Sequence, residues 1–335
     1  MDVYGATRQQ YVAFAADAAG DSACFQEWAS GVASDPEVLG WLDRLPVPKR
    51  QPNLVFAAAR WHGVPAPGPY DGLRRALLGD DGRIEETIRT RATQTNEVGR
   101  LATLVPAFGL VAGDGPLALV EVGPSAGLVL YPDRYTYVWS TADGDRRSGS
   151  GPELTCDVSG PAPLPETPPA VAFRGGVDLN PLDVADDDQM AWLTNLVWPE
   201  DDARRAQLGR AIEVARTEPP RLSRGDLLTE LPALVDEAAA YGTVVVFHSA
   251  VIAYLDDDDR ASFQELMTSL VDAGRCHWVS NEAPRVLPRV TETGPPMPAD
   301  VRGFVLGIDG QAVAWAHGHG RWLRWFDGGG FEARR

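Results

Sequence analysis

The chain has little that suits a membrane, an oxidising compartment or a nucleic acid. No stretch of its 335 residues reaches the ~18 consecutive apolar residues that cross a bilayer, and its first residues lack the basic region and apolar run of a secretory leader. Cysteine is scarce. Cys24, Cys156 and Cys276 are far apart and outside any paired metal or redox motif, which argues against a disulfide framework and for a reducing, cytoplasmic setting. Positive charge is also in the minority. Thirty Lys+Arg face 47 Asp+Glu, giving a formal charge of −17, and the basic pairs Arg204-Arg205 and Arg334-Arg335 stand isolated. Such a surface repels phosphate backbones and anionic lipid, so DNA, RNA and membranes are not expected partners and a small molecule is. The residues do not specify an oligomeric state.

What is present is an ordinary globular composition, 44% hydrophobic and 8% aromatic, enough for a core and for two domains or one domain with a large cap. Residues 1–112 read as a helical cap that would form a substrate domain. Tyr11, Phe14, Ala15 and Ala18 recur at helical spacing, as do Val38, Leu39 and Leu42, with prolines between the segments. Its last helix is expected over Ile84 to Leu104. Such a helix places Ile84, Ile88, Thr95, Val98 and Ala102 on one side and Arg89, Thr93, Asn96, Glu97 and Arg100 on another. That polar stripe either faces a cleft or is a solvated face with a local Glu97–Arg100 pair.

Residues 113–335 read as an α/β domain. Leu117 to Val122 is a continuous apolar run of the kind found in a parallel strand covered on both faces, and it enters the turn Gly123-Pro124-Ser125-Ala126-Gly127. Two chemistries fit these letters. An acid followed by two close glycines, Glu121, Gly123 and Gly127, suits a cofactor loop of the class I S-adenosylmethionine (SAM) methyltransferase kind, with the next helix N-terminus offering N–H groups to the ligand. Gly-x-Ser-x-Gly equally suits the nucleophile elbow of a serine esterase built on Ser125. The residues before Leu117 contain no oxyanion loop of the His-Gly-Gly-Gly type, so Ser125 is expected to cap the following helix or touch the cofactor.

Further strands are expected at Ala170 to Phe173, Arg221 to Asp226, Thr243 to Phe247 and Cys276 to Ser280. The chain should close with a hairpin, Phe304 to Ile308 and Ala312 to Ala316 around Asp309-Gly310. A polar, proline-rich insertion near 135–168 reads as a hairpin with arms Tyr135 to Ser140 and Glu153 to Asp157. With that insertion, the acid for a cofactor ribose becomes Asp178, beside Asn180, rather than Asp143; a turn-capping role for Asp178 is the alternative. Asp226 sits where adenine is contacted in such folds, or else caps a helix. His248 and Ser249 follow the apolar run Thr243 to Phe247 and are expected at the catalytic rim, His248 as a base. Asp256 to Asp259 reads as an acidic first helical turn, and His317-Gly318-His319-Gly320 as a turn between strands. No metal site is expected at either.

Five segments carry a family resemblance: Arg91 to Glu97, Val120 to Leu128, Gly176 to Pro181, Trp192 to Pro199, and Val246 to Ser249. With them the chain resembles the bacterial domain of unknown function 2332 family, whose members have a methyltransferase-like core. The resemblance implies a fold more than an activity, and it favours functional roles for Asn96 and Glu97. The combined expectation is a class I SAM-methyltransferase-like, Rossmann-like sheet ending in an antiparallel hairpin under a helical N-terminal cap. SAM would be the cofactor, with methyl transfer to a small polar molecule or natural-product intermediate. A serine esterase using Ser125 and a non-catalytic SAM or nucleotide-binding protein are the alternatives.

Overall fold

The structure is a computed structural model that describes residues 4–94 and 96–327; Thr95 and the Arg334-Arg335 pair lie outside the described residues. In chain order its helices are α1 (Gly5–Ala18), α2 (Ala23–Ser34), α3 (Pro36–Leu42), α4 (Pro52–Trp61), α5 (Tyr70–Leu78), α6 (Arg83–Thr90), α7 (Leu101–Val111), α8 (Asp187–Asn195), α9 (Asp202–Thr217), α10 (Leu227–Ala238), α11 (Asp257–Asp272) and α12 (Pro288–Thr291). The strands are β1 (Leu117–Val122), β2 (Thr136–Thr141), β3 (Gly144–Gly149), β4 (Glu153–Ser159), β5 (Val171–Asp178), β6 (Arg221–Arg224), β7 (Thr243–Ser249), β8 (His277–Glu282), β9 (Phe304–Ile308), β10 (Gln311–Ala316) and β11 (Trp322–Trp325). They divide into two compact units, Met1–Thr95 with Ala185–Gly209 and Asn96–Val184 with Arg210–Arg335. Among the described residues no helix is long and apolar enough to cross a membrane.

The first unit is helical. Ser22 and Asp35 cap α2 and α3 by accepting backbone N–H groups, and Pro36 occupies the first turn of α3, where its missing N–H costs nothing. Phe14, Phe25, Trp28, Phe56 and Trp198 form its aromatic centre, and Trp192 packs edge-on against Trp61 at 5.7 Å. Both tryptophans of the 192–199 segment are therefore packing residues.

The expected single helix from Ile84 to Leu104 does not form. After α6 the chain extends at Arg91, and a short 3-10 turn at Val98–Arg100 precedes α7. Contacts from far along the chain hold this stretch: Lys49 Nζ binds the carbonyl of Arg91 and Trp192 Nε1 that of Ala92. Asn96 and Glu97 consequently lie on extended chain and not on a helical stripe.

The second unit is built on one sheet with strand order β3-β2-β4-β11-β10-β9-β8-β7-β1-β5-β6 among the described residues. Its parallel part, β6-β5-β1-β7-β8, reads 3-2-1-4-5 when those strands alone are numbered. The order reverses between β1 and β7, the topological switch point at whose carboxyl edge open α/β sheets bind ligands. The closing hairpin is present: β9 runs antiparallel to β8, and Asp309 and Gly310, both at positive φ (48° and 82°), turn the chain into β10.

Two local expectations are corrected. The inserted hairpin is β2–β3 with arms 136–141 and 144–149, while β4 pairs parallel to β2 and joins β11, extending the same sheet. No helix follows β1; residues 125–129 are turns that lead through a 3-10 turn at Pro132–Arg134 into β2. A helix N-terminus with open N–H groups is therefore absent behind the Gly123–Gly127 turn, and Ser125 caps no helix.

Alternation along the strands sorts the site residues by face. Val120, Val122, Val246 and Trp278 pack with Leu231 and Val235 of α10 and with Phe263 and Met267 of α11. On the opposite face Phe247 meets Phe108 of α7 at 5.2 Å. Because Glu121 registers with Phe247, and Ser249 with Asn281, these residues share the α7 face at the carboxyl edge.

Candidate functional site

The turn after β1 satisfies most of its own hydrogen bonds. The N–H of Gly123 donates to the Val177 carbonyl, that of Gly127 to Pro124, and that of Ser125 to Asp178 Oδ2. Asn96 clamps both ends of the turn, donating from Nδ2 to the Pro124 carbonyl at 2.7 Å and accepting the Leu128 N–H at Oδ1 at 2.6 Å. Gly123 and Gly127 both have positive φ (66° and 69°), and the space a Cβ would take is already filled by the side chains of Val251 and Pro220. The glycines serve internal packing rather than close approach of a ligand. Replacing Asn96 by alanine removes both clamps and leaves a carbonyl and an N–H unpaired, a loss of about 2 kcal/mol. Chemical denaturation should show this as a lowered midpoint at unchanged slope.

Asp178 accepts the Ser125 N–H at one oxygen and the Asn180 N–H at the other, and Asn180 Oδ1 accepts from Arg224. Asp226 is the N-cap of α10, accepting the Leu228 N–H. All three expected cofactor contacts thus have structural duties where they stand. Asp256 likewise caps α11.

Glu121 is different. It is 4% exposed on the α7 face, and its Oε2 has no hydrogen-bond partner among the described residues. Burial pushes its carboxyl well above the usual range, Asp178 pushes it further, and Arg100 opposes both. Buried acceptors are almost always satisfied, so an orphan oxygen at the switch point stands out. Close by, Arg100 donates from Nη1 to the Ser249 carbonyl and from Nε to the Gly318 carbonyl, both at 2.8 Å. Asn281 donates from Nδ2 to Ser249 Oγ, which orients its amide, and its buried Oδ1 is also without a partner among the described residues. Two unpaired acceptors, on β1 and β8, therefore flank Ser249 at one edge of the sheet.

His248 does not reach that edge. It is fully buried on the α10/α11 face, edge-on to Phe263, with Nδ1 on Glu282 Oε1 at 2.8 Å and Nε2 accepting from Trp278 Nε1 at 3.0 Å. An indole N–H only donates, so the ring proton sits on Nδ1 and the Nε2 lone pair is occupied. The Glu282 Oε1 also takes the N–H groups of Val251 and Ile252, making the cluster a staple for the loop after β7. The expected base is thereby corrected to a core residue. The apolar run Thr243 to Phe247 predicts the strand but not which face is covered at its last residues.

A different histidine stands at the rim. His319, in the β10–β11 turn, places Nδ1 2.9 Å from Oε2 of Glu97, whose Oε1 accepts the Gly99 N–H. Glu97 is 5% exposed and the His319 side chain 44%. The His-Gly-His-Gly tract is the turn expected, yet its pairing with Glu97 across 222 residues has no local signal. Asn281 has no local signal of a site residue either, whereas Arg100 belongs to the polar stripe that the sequence offers to a cleft.

The opposite, amino edge of β7 and β8 holds a cavity of about 540 Å³ lined by Thr243, Arg275, Cys276, His277 and Asp309. His277 Nδ1 bonds Asp309 Oδ2 at 2.7 Å, and burial pushes the Cys276 thiol up to about 12, so that thiol is no nucleophile at neutral pH. The fold rule and the orphan acceptors both favour the carboxyl edge over this cavity. Among the described residues no group of three or more His, Cys, Asp or Glu is placed to hold a metal ion.

A family model described as an uncharacterized protein conserved in bacteria, DUF2332, matches residues 8–325. No curated protein matches the chain.

Proposed function

The chain belongs to that bacterial family, and from this premise we propose that it is a SAM-dependent methyltransferase acting on a small polar molecule, with its ligand crevice at the carboxyl edge between β1 and β7. The observation that carries the reading is Glu121: a buried carboxyl with an orphan oxygen at the switch point of a 3-2-1-4-5 sheet. SAM is a cation at its ammonium and sulfonium centres. An unpaired buried acceptor and the orphan Asn281 Oδ1 suit those donors and charges, whereas the turn N–H groups of Gly123, Ser125, Gly127 and Leu128 are already spent and offer no cradle for the carboxylate. The proposed hold is thus on the cationic side, through Glu121 and Asn281, with Arg100 the cation closest to hand for an anionic group. Bound SAM would supply an electrophilic methyl group. The chain's own part is orientation and exclusion of water.

One observation favours the esterase reading: Ser125 has a φ of 55°, the positive value a nucleophile elbow needs. The remaining geometry weighs against it. Ser125 is nearly buried and no helix follows it.

Calorimetric titration of the full chain with SAM and with S-adenosylhomocysteine tests the proposal. Binding of SAM with a Kd of roughly 1 μM to 1 mM is the expected result. Absence of binding heat and of any thermal shift with both compounds overturns it. Binding without turnover on broad acceptor panels would leave a SAM sensor in its place.

A further inference from the structure

We propose that His319, held by Glu97, is the proton-transfer group of this crevice. The inference rests on the methyl-transfer reading and adds to it the base which that reading lacks once His248 is in the core. Three observations carry it. First, the pair has the orientation of a working dyad: Nδ1 is committed to a buried carboxylate, which fixes the ring, and no described residue is bonded to Nε2. Second, Glu97 is itself pinned, because it caps the 3-10 turn at Val98–Arg100 through the Gly99 N–H. Third, the dyad stands beside the orphan acceptors. The single guanidinium of Arg100 binds the carbonyl of Gly318, the residue before His319, and the carbonyl of Ser249, the residue whose hydroxyl holds Asn281. Gly320 lies directly on the Gly99 backbone, where a Cβ would be 1.9 Å from the Gly99 carbonyl oxygen, so the turn is seated against this segment.

The chemistry is a proton transfer. The O–H or N–H bond of the acceptor molecule breaks, its electron pair stays on the acceptor atom, and the proton forms a bond with His319 Nε2. Glu97 stabilises the imidazolium that results. The acceptor's gain is a nucleophilic lone pair, which methyl transfer needs when the atom attacked would otherwise carry a proton. Beside Glu97, the His317 ring lies 5.7 Å from the His319 ring and its Nδ1 accepts the His319 backbone N–H, while Arg100 binds the carbonyl of the preceding Gly318.

Diethylpyrocarbonate modification of the full chain, quantified at each histidine by peptide mass spectrometry, tests this without any known acceptor. His319 should acylate, and saturating S-adenosylhomocysteine should slow it at least about fivefold. Glu97→Gln, confirmed as folded by its melting curve, should slow it about threefold or more, because the ring loses the carboxylate that orients it. A purely capping role for Glu97 would leave the His319 rate unchanged. Calorimetric binding of S-adenosylhomocysteine with no change in His319 acylation overturns the dyad and leaves the cofactor reading standing. No binding heat at all removes the cofactor reading, and the dyad assignment with it. Should Glu97→Gln fail to fold, His319→Gln supplies the second arm, keeping ligand affinity within about threefold of the parent if the ring acts on the acceptor; a loss of all binding would make it a structural residue.

Discussion

Glu121→Gln should melt higher than the parent protein at neutral pH while binding SAM at least about tenfold more weakly. The two effects have one cause. In the parent, burial and Asp178 hold the carboxyl well above its usual range, so at neutral pH the folded state keeps a proton that the unfolded state has lost, or ionises at a cost. A group whose folded value is raised contributes stability that is intact at acid pH and lost as pH rises from the ordinary carboxylate range through the raised value. Glutamine has the same shape and does not titrate. The variant and the parent should therefore melt alike below that range and diverge above it, by roughly 2 °C or more at neutral pH if the relief reaches about 1 kcal/mol. The weakened binding follows from losing a charge-assisted contact of about 1.5–3 kcal/mol, or roughly 10- to 100-fold. Thermal melts from acid to alkaline pH, with titrations beside them, check both halves. A variant less stable than the parent at every pH would make Glu121 a structural residue with a partner.

His248→Ala should lose about 3 kcal/mol or more of stability, which calorimetric melting or urea unfolding reads directly. Removing the imidazole leaves the Trp278 indole N–H unpaired, takes one hydrogen bond from the fully engaged Oε1 of Glu282, and opens a cavity against Phe263. The loop after β7 should loosen with it, because the same Glu282 oxygen holds the N–H groups of Val251 and Ile252, and Val251 fills the space beside Gly123. Ligand binding is then expected to fall together with folding. A well-folded variant that binds SAM normally and loses only turnover would return His248 to the role of base.

Local signals carried far in this chain. The apolar run of β1, the acid at its end and the Asp309-Gly310 turn depend on neighbours in sequence, and each stands where a period-two pattern or turn chemistry puts it. What failed was decided at long range. The stretch through Arg91 and Ala92, expected as helix, is extended, and its carbonyls bind Lys49, 42 residues earlier, and Trp192, 100 residues later. Nothing in the run before His248 says that Trp278 and Phe263 cover its face. His319 reads locally only as part of a turn, since its carboxylate belongs to a segment 222 residues away. Gly123 was legible as a glycine required by backbone, yet the atoms that require it belong to Val251. A Gly123→Val change would therefore damage packing and ligand entry together, and separates nothing.

The central claim is that Glu121 receives a cationic ligand, and proton release on binding tests it most directly. Burial raises the Glu121 carboxyl, and a cation bound beside it favours the ionised form, so binding should release protons. Calorimetric titration of SAM near neutral pH, repeated in buffers of different ionisation enthalpy, should give an observed enthalpy that varies with the buffer and reports net proton release. In Glu121→Gln that dependence should vanish along with most of the affinity. SAM binding with no proton release in the parent, or with equal affinity in the variant, would contradict the claim.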